Sequence, residues 1–281
     1  MSLEDEKEAE AMHPRVKKLL ERQRIDQHTE NWYAERRLRI TASIAAAILG
    51  EDPYQTYADA FRKKTGLGPS FKGNKMTRHG HTHEPIAAEL FERLTGKRLI
   101  EGDVGLVCHR KFHYLAASPD GAGYYEPFLI EIKCPFSRRI QHFVPEHYKA
   151  QMQLQMECCD IDVCYFVQYQ PPTLLSKGIL DIITVKRDPT WMARAIPVFD
   201  GFWTAVKVFY ETLGQPVGTM MHDYTILPRG RNADSIDKPK RKKVKFNRIP
   251  DEQVLVVPDR NMFSEVMDAL VEEQEEETTD E

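Results

Sequence analysis

Residues 118–135 read SPDGAGYYEPFLIEIKCP, a turn at Pro119-Asp120-Gly121 followed by an apolar run that carries Glu131 and Lys133 two positions apart. In a strand, residues i and i+2 share a face, so Glu131 and Lys133 point one way while Ile130 and Ile132 point the other. Two antiparallel neighbours meeting here bring Asp120, at the end of one, close to Glu131 on the other. Taken alone, SPDG reads as a turn and the Glu-x-Lys pair as a polar strand face. Together they offer two carboxylates to a hard divalent cation, since Mg2+ prefers oxygen ligands and keeps several waters. The ammonium of Lys133 is then placed to orient or deprotonate a water attacking phosphorus, while metal charge stabilises the departing oxygen.

Working outward, the upstream pattern is helical. RVKKLLERQRI (15–25) is amphipathic through Val16, Leu19, Leu20 and Ile25, and a short helix is expected near NWYAERR (31–37). IAAAIL ends at Gly50 and PYQTYADAFRKKTG at Gly66, both plausible C-terminal caps. The loop GLGPSFKGN leads into a longer helix, TRHGHTHEPIAAELFERLTG, with Pro85 expected in its first turns and Gly96 at its end. Strands are expected at RLIEGDVGLVCH, YLAAS and FLIEIKC, a helix at PEHYKAQMQLQMECC, and two more strands at DVCYFVQYQ and ILDIITVKR. A final helix or pair fills 188–213, with Trp191, Phe199, Phe202, Trp203 and Phe209 as core. The order predicts an α/β (α+β) fold with a central mixed β-sheet flanked by helices. Its expected bounds are residues 13–225, between an acidic disordered start (1–12) and a C-terminal extension (226–281).

The formal net charge of −4 hides an uneven distribution. Residues 1–10 carry −4 and residues 264–281 carry −9, which leaves +9 on residues 11–263. A basic body with acidic ends fits a nucleic-acid partner. KPKRKKVKFNR places seven Lys or Arg between Lys238 and Arg248, readable as a solvated charge run, a DNA-backbone arm or a nuclear-import signal. No apolar run approaches the ~20 residues of a membrane span, and the start MSLEDEKEAE is unlike a secretory signal. The expectation is a soluble intracellular protein. The five cysteines, in odd number and without framework spacing, are expected as thiols rather than disulfides or an iron–sulfur cluster. His79 and His83 are spaced to bind zinc on a helix, but no distant third ligand accompanies them.

SPDG followed by IEIKCPFS resembles the PD-(D/E)xK nuclease core, restriction-endonuclease-like, in the form found in lambda exonuclease and the YqaJ-type viral recombinase nucleases. NWYAERRLRITAS resembles that family's W-x3-R-x6-S segment, on Trp32, Arg36 and Ser43. RHGHTHEPIAAELFE resembles its G-x3-E helix, placing an additional acid at Glu84, and HYKAQMQLQM its Y-x2-Q-x-Q helix, on Tyr148, Gln151 and Gln153. The resemblance spans about residues 30–170. It implies that Asp120, Glu131 and the carbonyl of Ile132 ligate Mg2+, with Mn2+ able to substitute. Glu84 would hold a metal-associated water or second ion, Lys133 would position the nucleophile and Gln151 would support the site.

By the same resemblance Arg36 and Ser43 would hold a 5′-terminal phosphate, and Ser137 and Tyr148 would contact DNA. Independently, Ser43 sits where IAAAIL begins, and a helix N-terminus suits an anion. The implied activity is a Mg2+-dependent 5′→3′ exonuclease on double-stranded DNA ends, releasing mononucleotides and leaving 3′ single strands for recombination. Alternatives are an endonuclease on the same core and a catalytically silent DNA-binding module. A homotrimeric ring, a single-strand annealing partner and work in a host nucleus are expectations of the resemblance and of the basic run.

Overall fold

The computed structural model describes residues 11–22, 25–68, 73–173 and 178–219. The acidic start at 1–10, the basic run at 238–248 and the acidic tail lie outside the described residues. Helix α1 (Pro14–Leu20) buries Val16 and Leu19. It is shorter than expected, because Ile25 bridges to Leu106 instead of extending the helix. Helix α2 (Glu30–Arg37) starts at Thr29, whose hydroxyl accepts from Trp32 N–H. Strand β1 (Ile40–Thr41) and a 3-10 turn (Ala42–Ile44) lead into α3 (Ala45–Leu49), ended by Gly50 at φ 75°. Helix α4 (Tyr57–Thr65) begins with a reciprocal Thr56–Asp59 cap and also ends in a left-handed glycine, Gly66.

Helix α5 runs Lys75–Thr95. Asn74 caps it by accepting from Thr77 N–H, so the helix starts earlier than the sequence pattern suggests and Pro85 falls in its interior. Proline has no N–H, and the carbonyl four residues back, at His81, loses its helical partner. Strands β2 (Val107–Cys108), β3 (Leu115–Ala117), β4 (Gly121–Ala122) and β5 (Leu129–Lys133) precede α6 (Glu146–Cys159), with β6 (Val163–Gln170), β7 (Ile179–Lys186) and α7 (Trp191–Thr212) after it. Segment 188–213 holds one helix, with Pro197 inside it.

The single expected sheet divides in two: β1-β3-β2, and β4-β5-β6-β7. The break falls at Ser118–Pro119–Asp120, where Pro119 cannot donate to a ladder. Its neighbours are claimed from outside, since Trp32 Nε1 donates to Ser118 Oγ at 3.1 Å and Gln27 Nε2 to Pro119 O at 3.2 Å. Strand β5 pairs antiparallel with β4 and parallel with β6, and the parallel step needs the crossover that α6 provides.

The alternation in β5 sorts its neighbours. Ile130 and Ile132 pack under α5 with Leu90 and Phe91, while Leu129 faces Met152 and Met156 of α6. The opposite side of α6 sets Ala150, Leu154 and Cys158 against Ala45–Ile48 and Phe199, Phe202 and Trp203. Helix α6 is thus apolar on both flanks, a central layer rather than a surface helix. Each fully buried Leu, Ile or Phe contributes about 2 kcal/mol of hydrophobic stabilisation. No helix among the described residues is long and apolar enough to cross a membrane.

Candidate active site

Register brings the carboxylates together. Gly121 pairs with Ile130 and Ala122 with Leu129, so Asp120 stands opposite Glu131 one step further along. The pairing continues through Asp120 itself: its N–H donates to Ile130 O at 3.2 Å, and its Oδ2 accepts from Ile132 N–H at 2.7 Å. The turn and the strand are therefore two halves of one hydrogen-bonded unit.

Glu131 is 1% exposed, and a buried carboxylate must be fully hydrogen-bonded to persist as an anion. Lys133 Nζ donates to Glu131 Oε1, Gln151 Nε2 donates to the same oxygen at 2.6 Å, and Gln155 Nε2 donates to Oε2 at 2.5 Å. A carboxylate offers about four lone-pair sites, and these three donors occupy three of them. Gln155 is the residue that sequence reading misses. Its signal is the i,i+4 spacing from Gln151, which puts both amides on one face of α6. Gln153 has another job: it donates to Lys186 O at 2.9 Å and accepts from Asp188 N–H, tying α6 to the end of β7.

A cleft of about 690 Å³ opens beside this unit, lined by Gln27, His28, His81, Glu84, Asp120 and Ile132 among others. Glu84 reaches it from α5, with His81 Nδ1 3.6 Å from its Oε2. Glu131 and Lys133 are not among the residues that line the cleft, and Asp120, which does line it, is within the electrostatic reach of Glu131, Lys133 and Glu84. Burial pushes Asp120 well above the usual carboxylate range; Glu131 and Glu84 push the same way and Lys133 opposes them. Burial works against the ammonium of Lys133, but the charges of Glu131 and Asp120 outweigh it and raise its pKa. Carboxylates crowded until one resists ionising form a site that a cation would relieve.

Among the described residues no three His, Cys, Asp or Glu side chains form a ready metal cage. The His79 and His83 rings lie 4.1 Å apart on α5. Mg2+ uses one or two carboxylates and completes its shell with water and substrate phosphate. The hard-oxygen set of Asp120, Glu131, Glu84 and the Ile132 backbone fits that ion. All five cysteines are free, and burial pushes the thiols of Cys134 and Cys159 up to about 12.

A second cluster gathers cations. The Arg36 guanidinium lies 4.1 Å over the Trp32 ring and donates to Ser43 Oγ at 3.2 Å. Burial pushes Arg36 down to about 10, still fully charged at neutral pH. Lys64, 8% exposed, donates to the backbone oxygen of Arg36 at 2.6 Å. Its pKa falls well below the usual lysine range through burial, with Arg36, Lys63 and Arg39 adding to the effect. Neither Arg36 nor Lys64 has a carboxylate partner among the described residues. Ser43 is exposed within the 3-10 turn, and α3 has only five residues, so the helix dipole expected there is small.

Of the remaining expected positions, Tyr148 stands with its ring 5.3 Å from Lys133 Nζ, and Ser137 is exposed on the loop after β5. Trp32 joins the two clusters: Arg36 covers its face while its Nε1 reaches Ser118, two residues before Asp120.

The model of the YqaJ-like viral recombinase domain matches residues 31–162. An uncharacterized protein of Acanthamoeba polyphaga mimivirus is 30% identical over 161 residues, covering 51% of this chain and 29% of that protein. A protein of African swine fever virus is 29% identical over 157 residues, 45% of this chain and 44% of its own length. The chain thus spans less than half the length of either relative. Among solved structures, an alkaline exonuclease from Laribacter hongkongensis superposes with a TM-score of 0.54 at 26% identity, over 66% of this chain and 96% of that one. The fold and these matches agree, and residues 31–162 are the part of the chain that resembles the YqaJ-like viral recombinase domain.

Proposed function

We propose that this chain is a Mg2+-dependent exonuclease that degrades double-stranded DNA from 5′ ends, releasing mononucleotides and leaving 3′ single strands for recombination. The observation that carries the reading is the Asp120–Glu131 pair with Lys133 beside it and Glu84 across the cleft. Support comes from the Laribacter alkaline exonuclease, which has also been solved in complex with dAMP, a mononucleotide.

When bound, Mg2+ supplies positive charge to the oxygens around phosphorus. The chain's own residues do the rest. Asp120 and Glu131 would hold the ion, and the amides of Gln151 and Gln155 fix the Glu131 carboxylate. Lys133 works as an ammonium, orienting the attacking water and countering charge on the phosphate. Arg36 and Ser43 receive the 5′-terminal phosphate, which sets polarity. A phosphate would complete the half-buried Arg36 guanidinium, which meets no carboxylate among the described residues. A homotrimeric ring and a single-strand annealing partner belong to this reading as well.

The test is digestion of linear duplex labelled at each end in turn, with Lys133→Ala and Asp120→Ala alongside the wild type. Loss of mononucleotide release from the 5′ label in both variants is expected. Activity surviving in both ends the proposal, and cutting of covalently closed circles replaces it with an endonuclease.

A further inference from the structure

The mechanism leaves unused a buried polar pair at the level of Lys133. Lys133 pairs with Gln168 of β6, and Gln168 with Asp181 of β7. Cross-strand partners share a face, so all three side chains project to the side of Glu131. Gln168 is 0% and Asp181 8% exposed, unusual places for such groups without a reason.

Every polar atom of Gln168 is committed. Its Nε2 donates to Asp181 Oδ2 at 2.8 Å and to Gln141 O at 2.9 Å, and its Oε1 accepts from Arg138 Nη2 at 2.8 Å. The other oxygen of Asp181 pairs with His142 Nδ1. Both donors of the amide being taken, its orientation is fixed, and only the carbonyl can face Arg138. The segment holding Arg138, Gln141 and His142 joins the Glu131–Lys133 strand to α6, so it is anchored beside the reacting groups.

The arrangement is informative for what it withholds. Asp181 could have neutralised Arg138 directly; instead the neutral amide stands between them. Arg138 keeps its full charge, has no carboxylate partner among the described residues, and uses one of its five N–H groups on the amide. Its field is felt on the Lys133 side: burial lowers His147, and Arg138 and Lys133 add to that shift while Asp52 opposes it. A half-buried guanidinium aimed by a buried anchor, with donors to spare, matches a phosphodiester oxygen.

We propose that Arg138, held by the Asp181–Gln168 pair, contacts the DNA backbone beside the bond placed at Lys133, with Gln168 and Asp181 as positioning residues. The proposal rests on the nuclease reading and adds a contact to it.

The test uses the full chain and a short 5′-phosphorylated duplex, with binding measured by fluorescence anisotropy without divalent metal over a series of salt concentrations. Arg138→Ala should weaken binding about tenfold and reduce the log K against log salt slope by about one. Arg138→Lys should restore the slope. Asp181→Asn should raise KM with little change in kcat, and the double variant should be no weaker than Arg138→Ala alone. A merely structural tether would lower Tm in Arg138→Ala and leave the slope as in the wild type, which overturns the proposal while the nuclease reading stands. Full additivity of Asp181→Asn with Arg138→Ala overturns the positioning role. Wild type that fails to bind duplex at any salt sinks the underlying reading instead.

Discussion

The acid cluster and the cation cluster are built by opposite rules. Around Glu131 each carboxylate oxygen is hydrogen-bonded, by Lys133, Gln151 and Gln155, and the charges are partly balanced within the protein. Around Arg36 the guanidinium has a hydroxyl and a ring face, and Lys64 has a backbone carbonyl; no carboxylate meets either among the described residues. The first site is held in shape by hydrogen bonds within the fold. The second is left in deficit, its desolvated positive charges costing free energy until an anion arrives. A catalytic centre needs geometry fixed in advance, whereas an end-recognition pocket gains discrimination by having its charge satisfied only when the right group enters.

That contrast is broken most severely at Asp120. Asp120→Asn should cut turnover on the order of 10³-fold, because one charged ligand and its electrostatic effect disappear. Removing a carboxylate that burial and Glu131 disfavour should at the same time raise the Tm of the metal-free protein. Added Mg2+ should then raise the Tm of the wild type and barely move that of Asp120→Asn. Thermal melts with and without Mg2+ check both halves, and equal metal shifts in the two proteins would contradict the assignment of Asp120.

An intermediate effect is expected at Arg36. Arg36→Ala should reduce the preference for 5′-phosphorylated over 5′-hydroxyl ends about tenfold or more, the worth of one charge-assisted contact. Turnover on a saturating excess of ends should change much less. Competition between the two kinds of end measures the ratio, and an unchanged ratio would take Arg36 out of end recognition.

The smallest effect sharpens the same comparison through stability. Lys64 is depressed in the folded state, so between that lowered value and its ordinary one the unfolded chain binds more protons. Stability attributable to Lys64 therefore rises with pH across that window. Lys64→Met, without the buried charge, should melt a few degrees above the wild type at neutral pH, and the gap should close as pH rises towards 10. Melting curves across that range test the sign; a gap that widens with pH would contradict it.

Much of the acid site is legible in the amino-acid order because its logic is local. A turn, a strand of known alternation and an antiparallel partner are enough to set Asp120 against Glu131, since register follows from two neighbouring strands. The same locality exposes α6, while Gln151 is singled out by the family resemblance of its helix. Gln155 escapes because a glutamine in an otherwise apolar helix has no meaning until the helix is laid across β5. The apolar pattern misplaces Pro85 because Asn74, a cap lying upstream of that pattern, starts α5 early. The split of the sheet at Pro119 is hidden because the groups that fill the gap, Trp32 and Gln27, come from far away in the chain.

What the amino-acid order determined by itself was the pattern of elements and the meeting of 120, 131 and 133, for those depend on neighbours a few residues apart. Only the tertiary structure decided which charges go unanswered. Arg36, Lys64 and Arg138 look like ordinary basic residues along the chain, and their lack of a carboxylate partner among the described residues is a property of what folds around them. Desolvation and long-range Coulomb forces are set by atoms that the chain brings together from distant positions.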